Sequence, residues 1–301
     1  MRGRVIDLIG RAGPMTGAEL LEHLGGDRLE LWRTCALCEE IAVQRVGQRY
    51  LRLDRRIDGY ARLSPSILRE FLTYSVVGQA RDPGRLRART QALADRVREV
   101  SSAKLSLARH LVADVVAPLA VDAGIEQRFC VGLAGDIVYG MAHDVPRPER
   151  STGTLVQGSD LDIVVIVKDD VPSEFVRELD EAIYRKKYQY LKQPAFREEI
   201  DYIVKRFGRL REQTGFDTFQ HMLACKVFDE CRLLHGSPEL FAEGKALLAD
   251  RGLDDRLERM RERAALDREQ QEHRLLTLAP QDLRGEDLFL FHTADESEEF
   301  E

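Results

Sequence analysis

Two acids, Asp160 and Asp162, stand two residues apart where the run Leu161-Asp162-Ile163-Val164-Val165-Ile166-Val167 begins. On extended backbone that spacing projects both carboxylates from one face. Side by side they repel, and each raises the other's pKa unless a cation lies between them. A hard divalent ion such as Mg²⁺, which takes carboxylate oxygens, supplies that cation. A third acid, Asp201, interrupts the otherwise apolar stretch Ile200 to Val204, where a strand has no other evident use for a charge. Taken singly, each acid is a capped turn or a solvated strand end. Their context has to decide between these readings.

The surrounding elements must hold these acids in place. Ile163–Val167 is a run of five β-branched residues, which reads as a short strand buried on both faces. Arg128–Ala134 is a strand that ends in the turn Gly135-Asp136-Ile137-Val138-Tyr139-Gly140. A polar loop, Asp144 to Gln157, delivers the chain to Gly158-Ser159-Asp160. Pro172–Leu191 is an amphipathic helix rich in Arg, Lys and Tyr, and Glu198–Val204 is the strand that carries Asp201.

A strand, a Gly-x-x-x-x-Gly turn, a Ser-Asp-x-Asp strand, a helix and a strand with a third Asp together resemble the polymerase-β-like nucleotidyltransferase superfamily. The segment Cys231–Leu240 resembles the late strand and turn of many members, so the likeness covers roughly residues 128–245. The resemblance implies an α/β (α+β) core, a small mixed sheet flanked by helices. It also implies two Mg²⁺ ions (or Mn²⁺) on Asp160, Asp162 and Asp201, with Asp201 as third ligand and general base. The reaction implied is transfer of a nucleoside monophosphate from a nucleoside triphosphate to an acceptor hydroxyl, releasing pyrophosphate. RNA such as tRNA, a protein or a small molecule are all acceptors in the superfamily. Nucleotide contacts fall by likeness on Gly135, Asp136, Gly158, Ser159 and Lys226. One departure stands out: the family has Gly-Gly or Gly-Ser where this chain has Gly135-Asp136, and a carboxylate there repels a triphosphate unless it points away or shares the metal. The loop 144–157, through Arg147, Arg150, Ser151 or Thr152, is the candidate substitute for that grip.

The rest of the chain reads as accessory. Val5, Leu8 and Ile9 mark a first helix, Thr16 caps a second over Ala18–Leu24, and a third runs from Leu29 to about Ile41. Ala42–Leu53 then alternates around Gly47, which predicts a two-stranded ribbon displaying Arg45, Arg49 and Arg52. Three helices and a ribbon resemble a winged helix-turn-helix domain, which implies contact with nucleic acid or a protein. The expected organisation is a winged helix over residues 1–58, a helical connector over 59–118, the catalytic core over 119–207, a helical region over 208–280 and an acidic mobile tail over 281–301. The alternative function is a DNA-binding regulator with a nucleotide-sensing or inactive core.

Charge and composition set the limits. Residues 1–110 carry 20 Lys and Arg against 13 Asp and Glu, while the remainder carries 25 against 39. A polyanion partner is therefore expected at the N-terminal part. No apolar run reaches membrane-spanning length and no leader pattern opens the chain, so no membrane partner is expected. Five cysteines, an odd number, fit reduced buried thiols in a cytoplasmic protein. The pair Cys35 and Cys38 lacks a second pair or a His to complete a zinc set.

Overall fold

A computed structural model describes residues 1–119, 124–149 and 152–292. Arg150, Ser151 and the acidic run Asp295–Glu301 lie outside the described residues. The chain divides into two compact units. One joins Met1–Val97 to the described residues from Arg259 onward, and the other is Arg98–Glu258.

The first unit begins with α1 (Arg2–Ala12), β1 (Met15–Thr16), α2 (Gly17–Leu24) and α3 (Arg28–Leu37). It continues through β2 (Ile41–Arg45), β3 (Tyr50–Leu53), β4 (Ala61–Ser64), α4 (Ile67–Thr73) and β5 (Ser75–Gln79). The long helix α5 (Pro83–Val116) contains the boundary between units. Thr16 caps α2 as expected. Its hydroxyl accepts from the Glu19 amide at 3.2 Å, and the Glu19 carboxylate accepts from the Thr16 amide at 2.6 Å. Val5, Ile9, Leu20, Leu31, Cys35, Phe71 and Val77 form the core of this unit. The Cys35 thiol is pushed up to about 12 by burial, with Cys38 adding to the effect, and all five cysteines are free and buried.

The expected ribbon over residues 42–53 does not form. β2 pairs instead with β5, in a three-stranded antiparallel sheet of order β1-β5-β2, and β3 pairs with β4. Val76 and Val77 of β5 are fully buried, so β2 gains a closed apolar partner there that a hairpin with β3 would not give it. The connector expected to be helical over 59–118 thus contains two strands. The arginines predicted on display are also engaged. Arg45 and Arg49 pair with Glu70 at 3.0 and 2.5 Å, Arg49 reaches Glu272 at 2.7 Å, and Arg52 is buried. Burial pushes the Glu70 carboxyl up, but Arg49, Arg268 and Arg45 outweigh it and hold the group below its ordinary value.

The second unit is built on a four-stranded mixed sheet. Its elements are β6 (Phe129–Ala134), β7 (Pro146–Pro148), β8 (Leu155–Gln157), β9 (Leu161–Val167), α6 (Ser173–Lys192), β10 (Ile200–Arg206), α7 (Phe207–Gln213), α8 (Phe219–Glu230), β11 (Arg232–Gly236) and α9 (Pro238–Asp250). The strand order is β10-β9-β6-β11, with β10 parallel to β9 and the other two pairings antiparallel. Every residue of β9 is buried, as a two-sided central strand requires. Leu161, Ile163, Val165 and Val167 pack with Leu111 and Val115 of α5 and with Leu179 and Ile183 of α6. The sheet is not complete at residue 207, where the core was expected to end, because β11 supplies its fourth strand. The loop 144–157 holds the β7–β8 hairpin.

The boundary between units recurs within α10 (Leu253–Thr277), after which α11 (Gly285–Phe289) lies in the first unit. The described part of the expected mobile tail, residues 281–292, is anchored. Phe291 and Leu275 are buried with Ile67 and Leu68, and the Leu68 amide donates to the Phe291 carbonyl at 2.8 Å. An apolar pair, Leu288 and Phe291, outweighs the acidic composition of this end of the sequence. Among the described residues, no helix is long and apolar enough to cross a membrane.

Candidate metal centre

The register of the sheet brings the three acids together. Asp162 is the second residue of β9 and Asp201 the second of β10, and the two strands pair them directly. Leu161 and Ile163 point into the apolar core, so alternation sends Asp162 to the opposite face. Asp160, two residues upstream, keeps that parity. One oxygen from each of Asp160, Asp162 and Asp201 lies within 4.8 Å of the others, with Asp162 buried and the outer two partly open. Three carboxylate oxygens at this separation suit a hard divalent cation and match neither a thiolate nor an imidazole site.

Two cations already offset this negative charge. The Lys187 ammonium, on α6, is 2.9 Å from Asp201. Arg147, on β7, donates from Nε to the Gly158 carbonyl at 2.8 Å and from Nη1 to Glu199 at 2.6 Å, with Nη2 3.5 Å from Asp160. Burial pushes the Glu199 carboxyl up; Asp160 and Asp201 add to that rise, and Arg147 opposes it. Beside it, Glu198 forms a buried ion pair with Lys104 of α5 at 2.5 Å, and the same ammonium donates to the Gln157 carbonyl at 2.7 Å. That pair fixes both the end of β8 and the approach to β10.

Glycine is required at both turns that flank the acids. Gly135 has a φ of 75°, and a Cβ there would sit 2.0 Å from an Asp162 carboxylate oxygen. Gly158 has a φ of 67°, and its Cβ would fall 1.8 Å from the His143 carbonyl. The chain comes this close because the turns must deliver Asp160 and Asp162 past the end of β6.

Several residues expected at the phosphates are engaged within the protein. The Gly135 amide donates to the Glu230 carboxylate at 3.0 Å, and the Tyr139 hydroxyl donates to the same group at 2.6 Å. Lys226 lies 2.9 Å from Glu230, and the two side chains are only 4% and 3% exposed. The Ser159 hydroxyl donates to Asp136 at 2.8 Å and accepts from the His143 amide, while the Ser159 amide donates to the His143 carbonyl. Asp136 therefore turns toward Ser159, outside the cluster of three acids. Thr152 is committed locally as well, its amide and hydroxyl both bonding to Glu149 at 2.8 and 2.6 Å.

Sequence reasoning found the three acids and Arg147, and it missed Lys187, Glu199, Glu198, Lys104 and Glu230. Glu199 was within reach of the same two-residue counting that pairs it with Asp201. Glu230 gave no local signal, being 95 positions from the Gly135 amide it accepts from. No protein-family model matches the sequence, and no curated protein matches it.

Proposed function

We propose that the chain is a divalent-metal-dependent nucleotidyltransferase that moves a nucleoside monophosphate from a nucleoside triphosphate to an acceptor hydroxyl. One observation carries this reading: the oxygens of Asp160, Asp162 and Asp201 converge within 4.8 Å at the ends of adjoining strands. Mg²⁺ or Mn²⁺ held there supplies charge neutralisation and a lowered pKa for a bound hydroxyl. In the reaction the acceptor oxygen bonds to the α-phosphorus, the α-phosphorus bond to its bridging oxygen breaks, and pyrophosphate leaves with the electron pair. Asp201, on the edge strand, takes the hydroxyl proton. Arg147 meets the triphosphate oxygens in place of Ser159 and Lys226. The Gly135 amide reaches a phosphate only by exchange with the Glu230 carboxylate, so contact there replaces one anion with another.

The test is label transfer. The protein is incubated with Mg²⁺ and each α-labelled nucleoside triphosphate, with total cellular RNA and protein as acceptors, beside Asp160→Asn/Asp162→Asn. Transfer lost in the double variant supports the enzyme. Absence of transfer with all four nucleotides, together with sequence-specific duplex binding, supports the DNA-binding regulator instead. The second reading draws on the three N-terminal helices and the three-stranded sheet of the first unit. Against it, Arg45 and Arg49 spend their charge on Glu70 and Arg52 is buried.

A further inference from the structure

The outer face of α6 carries an arrangement that helix packing does not require. Tyr184 and Tyr188, one turn apart, are 61% and 51% exposed. Arg177, Arg185 and Lys192 share this face at helical spacing, with Glu181 between Arg177 and Arg185. The Lys192 ammonium sits 4.4 Å from the centre of the Tyr188 ring. From Ala182 to Lys192 the helix holds Arg185, Lys186, Lys187 and Lys192 and no acid. Basic residues near a helix C-terminus complement the dipole, but that does not account for two exposed tyrosines among them.

The location matters as much as the composition. Lys187 lies between Tyr184 and Tyr188 in sequence, and its ammonium contacts Asp201 of the acidic cluster. The helix that carries the tyrosine face thus reaches the candidate metal centre through the Lys187 side chain. Flat π-faces separated by cations suit a polymer of alternating bases and phosphates. A folded duplex hides its bases from such a surface, and an acidic peptide offers the tyrosines nothing to stack on.

We infer that the Tyr184–Tyr188 face of α6 binds the unpaired strand of a polynucleotide and leads its end to Asp201. This rests on the nucleotidyltransferase reading for its catalytic purpose, though the binding itself does not. Two rings stack on successive bases while Arg177, Arg185 and Lys192 follow the phosphates.

The experiment is fluorescence anisotropy of a labelled 12-nucleotide single-stranded RNA of mixed sequence, titrated with the full chain in EDTA. Wild type binds, and its affinity falls steeply with salt. Tyr184→Ala/Tyr188→Ala weakens binding roughly 30-fold or more, the loss expected for two stacked bases, whereas Tyr184→Phe/Tyr188→Phe stays within about threefold of wild type. Arg185→Gln/Lys192→Gln weakens binding and lowers the salt slope by about 2. The proposal is overturned if the alanine pair binds as wild type does, if the phenylalanine pair loses as much as the alanine pair, or if no RNA binds at low salt. It is also overturned if a duplex of the same sequence binds equally well. Tyrosine-dependent RNA binding without any label transfer by the wild type removes the catalytic reading and leaves this face standing. Label transfer to a small acceptor without RNA binding does the reverse.

Discussion

The Glu230 carboxylate accepts from the Gly135 amide at 3.0 Å while lying 2.9 Å from the Lys226 ammonium, so a buried ion pair on α8 holds the turn that passes over Asp162. Removing one partner strands the other charge in a medium that solvates it poorly. Glu230→Gln is therefore expected to cost about 3–5 kcal/mol of stability, read from chemical denaturation. The double variant Lys226→Met/Glu230→Gln recovers much of that loss. A double variant as unstable as the sum of the singles would show that the pair does not act as a unit.

Metal binding is expected to respond to the cations as well as to the acids. Mn²⁺ titrated into the protein, followed by electron paramagnetic resonance, binds wild type and is lost in Asp162→Asn. Lys187→Met tightens binding several-fold, because the ammonium near Asp201 no longer competes for the same charge. Unchanged affinity in Lys187→Met would place the ion away from Asp201.

Gly135→Ala tests the close approach directly. The substitution brings a methyl group to 2.0 Å from an Asp162 oxygen and asks alanine to hold a φ of 75°. The backbone conformation alone costs about 1–3 kcal/mol, and displacement of Asp162 abolishes the Mn²⁺ signal even in variant protein that remains folded by circular dichroism.

Lys205 gives the pH prediction. It is buried on β10, its ammonium donating to Gln213 at 2.9 Å, and burial brings its pKa down to about 8. A depressed lysine is penalised in the folded state wherever it is charged. Between about pH 8 and its unfolded value of 10.5 the unfolded chain binds the extra proton, so this group's contribution to stability rises with pH across that window. Denaturation midpoints of wild type minus those of Lys205→Met should climb from pH 8 to 10.5 and stay flat below it.

Part of the candidate metal centre was legible because a strand has a side-chain period of two. Asp160 and Asp162 declare a common face by counting alone, five β-branched residues declare the strand beneath them, and Asp201 joined them through the family resemblance. What counting cannot supply is partner choice. Nothing near Ile41–Arg45 announces that it pairs with Ser75–Gln79 and leaves Tyr50–Leu53 to Ala61–Ser64. Charge was the poorer guide. Arg49 read as a free basic group, but Glu70 and Glu272 hold it from 21 and 223 positions away. The acid-rich end hid an apolar anchor at Phe291 in the same way.

That anchor can be weighed. Phe291 is 1% exposed and meets Trp32 edge-on at 5.6 Å between ring centres. Phe291→Ala is expected to lower stability by about 3–5 kcal/mol, measured by thermal or denaturant unfolding. A loss below about 0.5 kcal/mol, typical of surface positions, would mean that the segment is not seated in solution.

Because α11 and the part of α10 from Arg259 join the residues up to Val97 in one unit, the first unit is assembled from two separated segments, and among the described residues Arg98–Glu258 is continuous. A ribosome finishes residues 98–258, which carry the three acids, before it adds the later segment of the first unit. Every residue of the carboxylate cradle is present in the growing chain before Leu275 and Phe291, the apolar residues that cover Ile67 and Leu68, have been added.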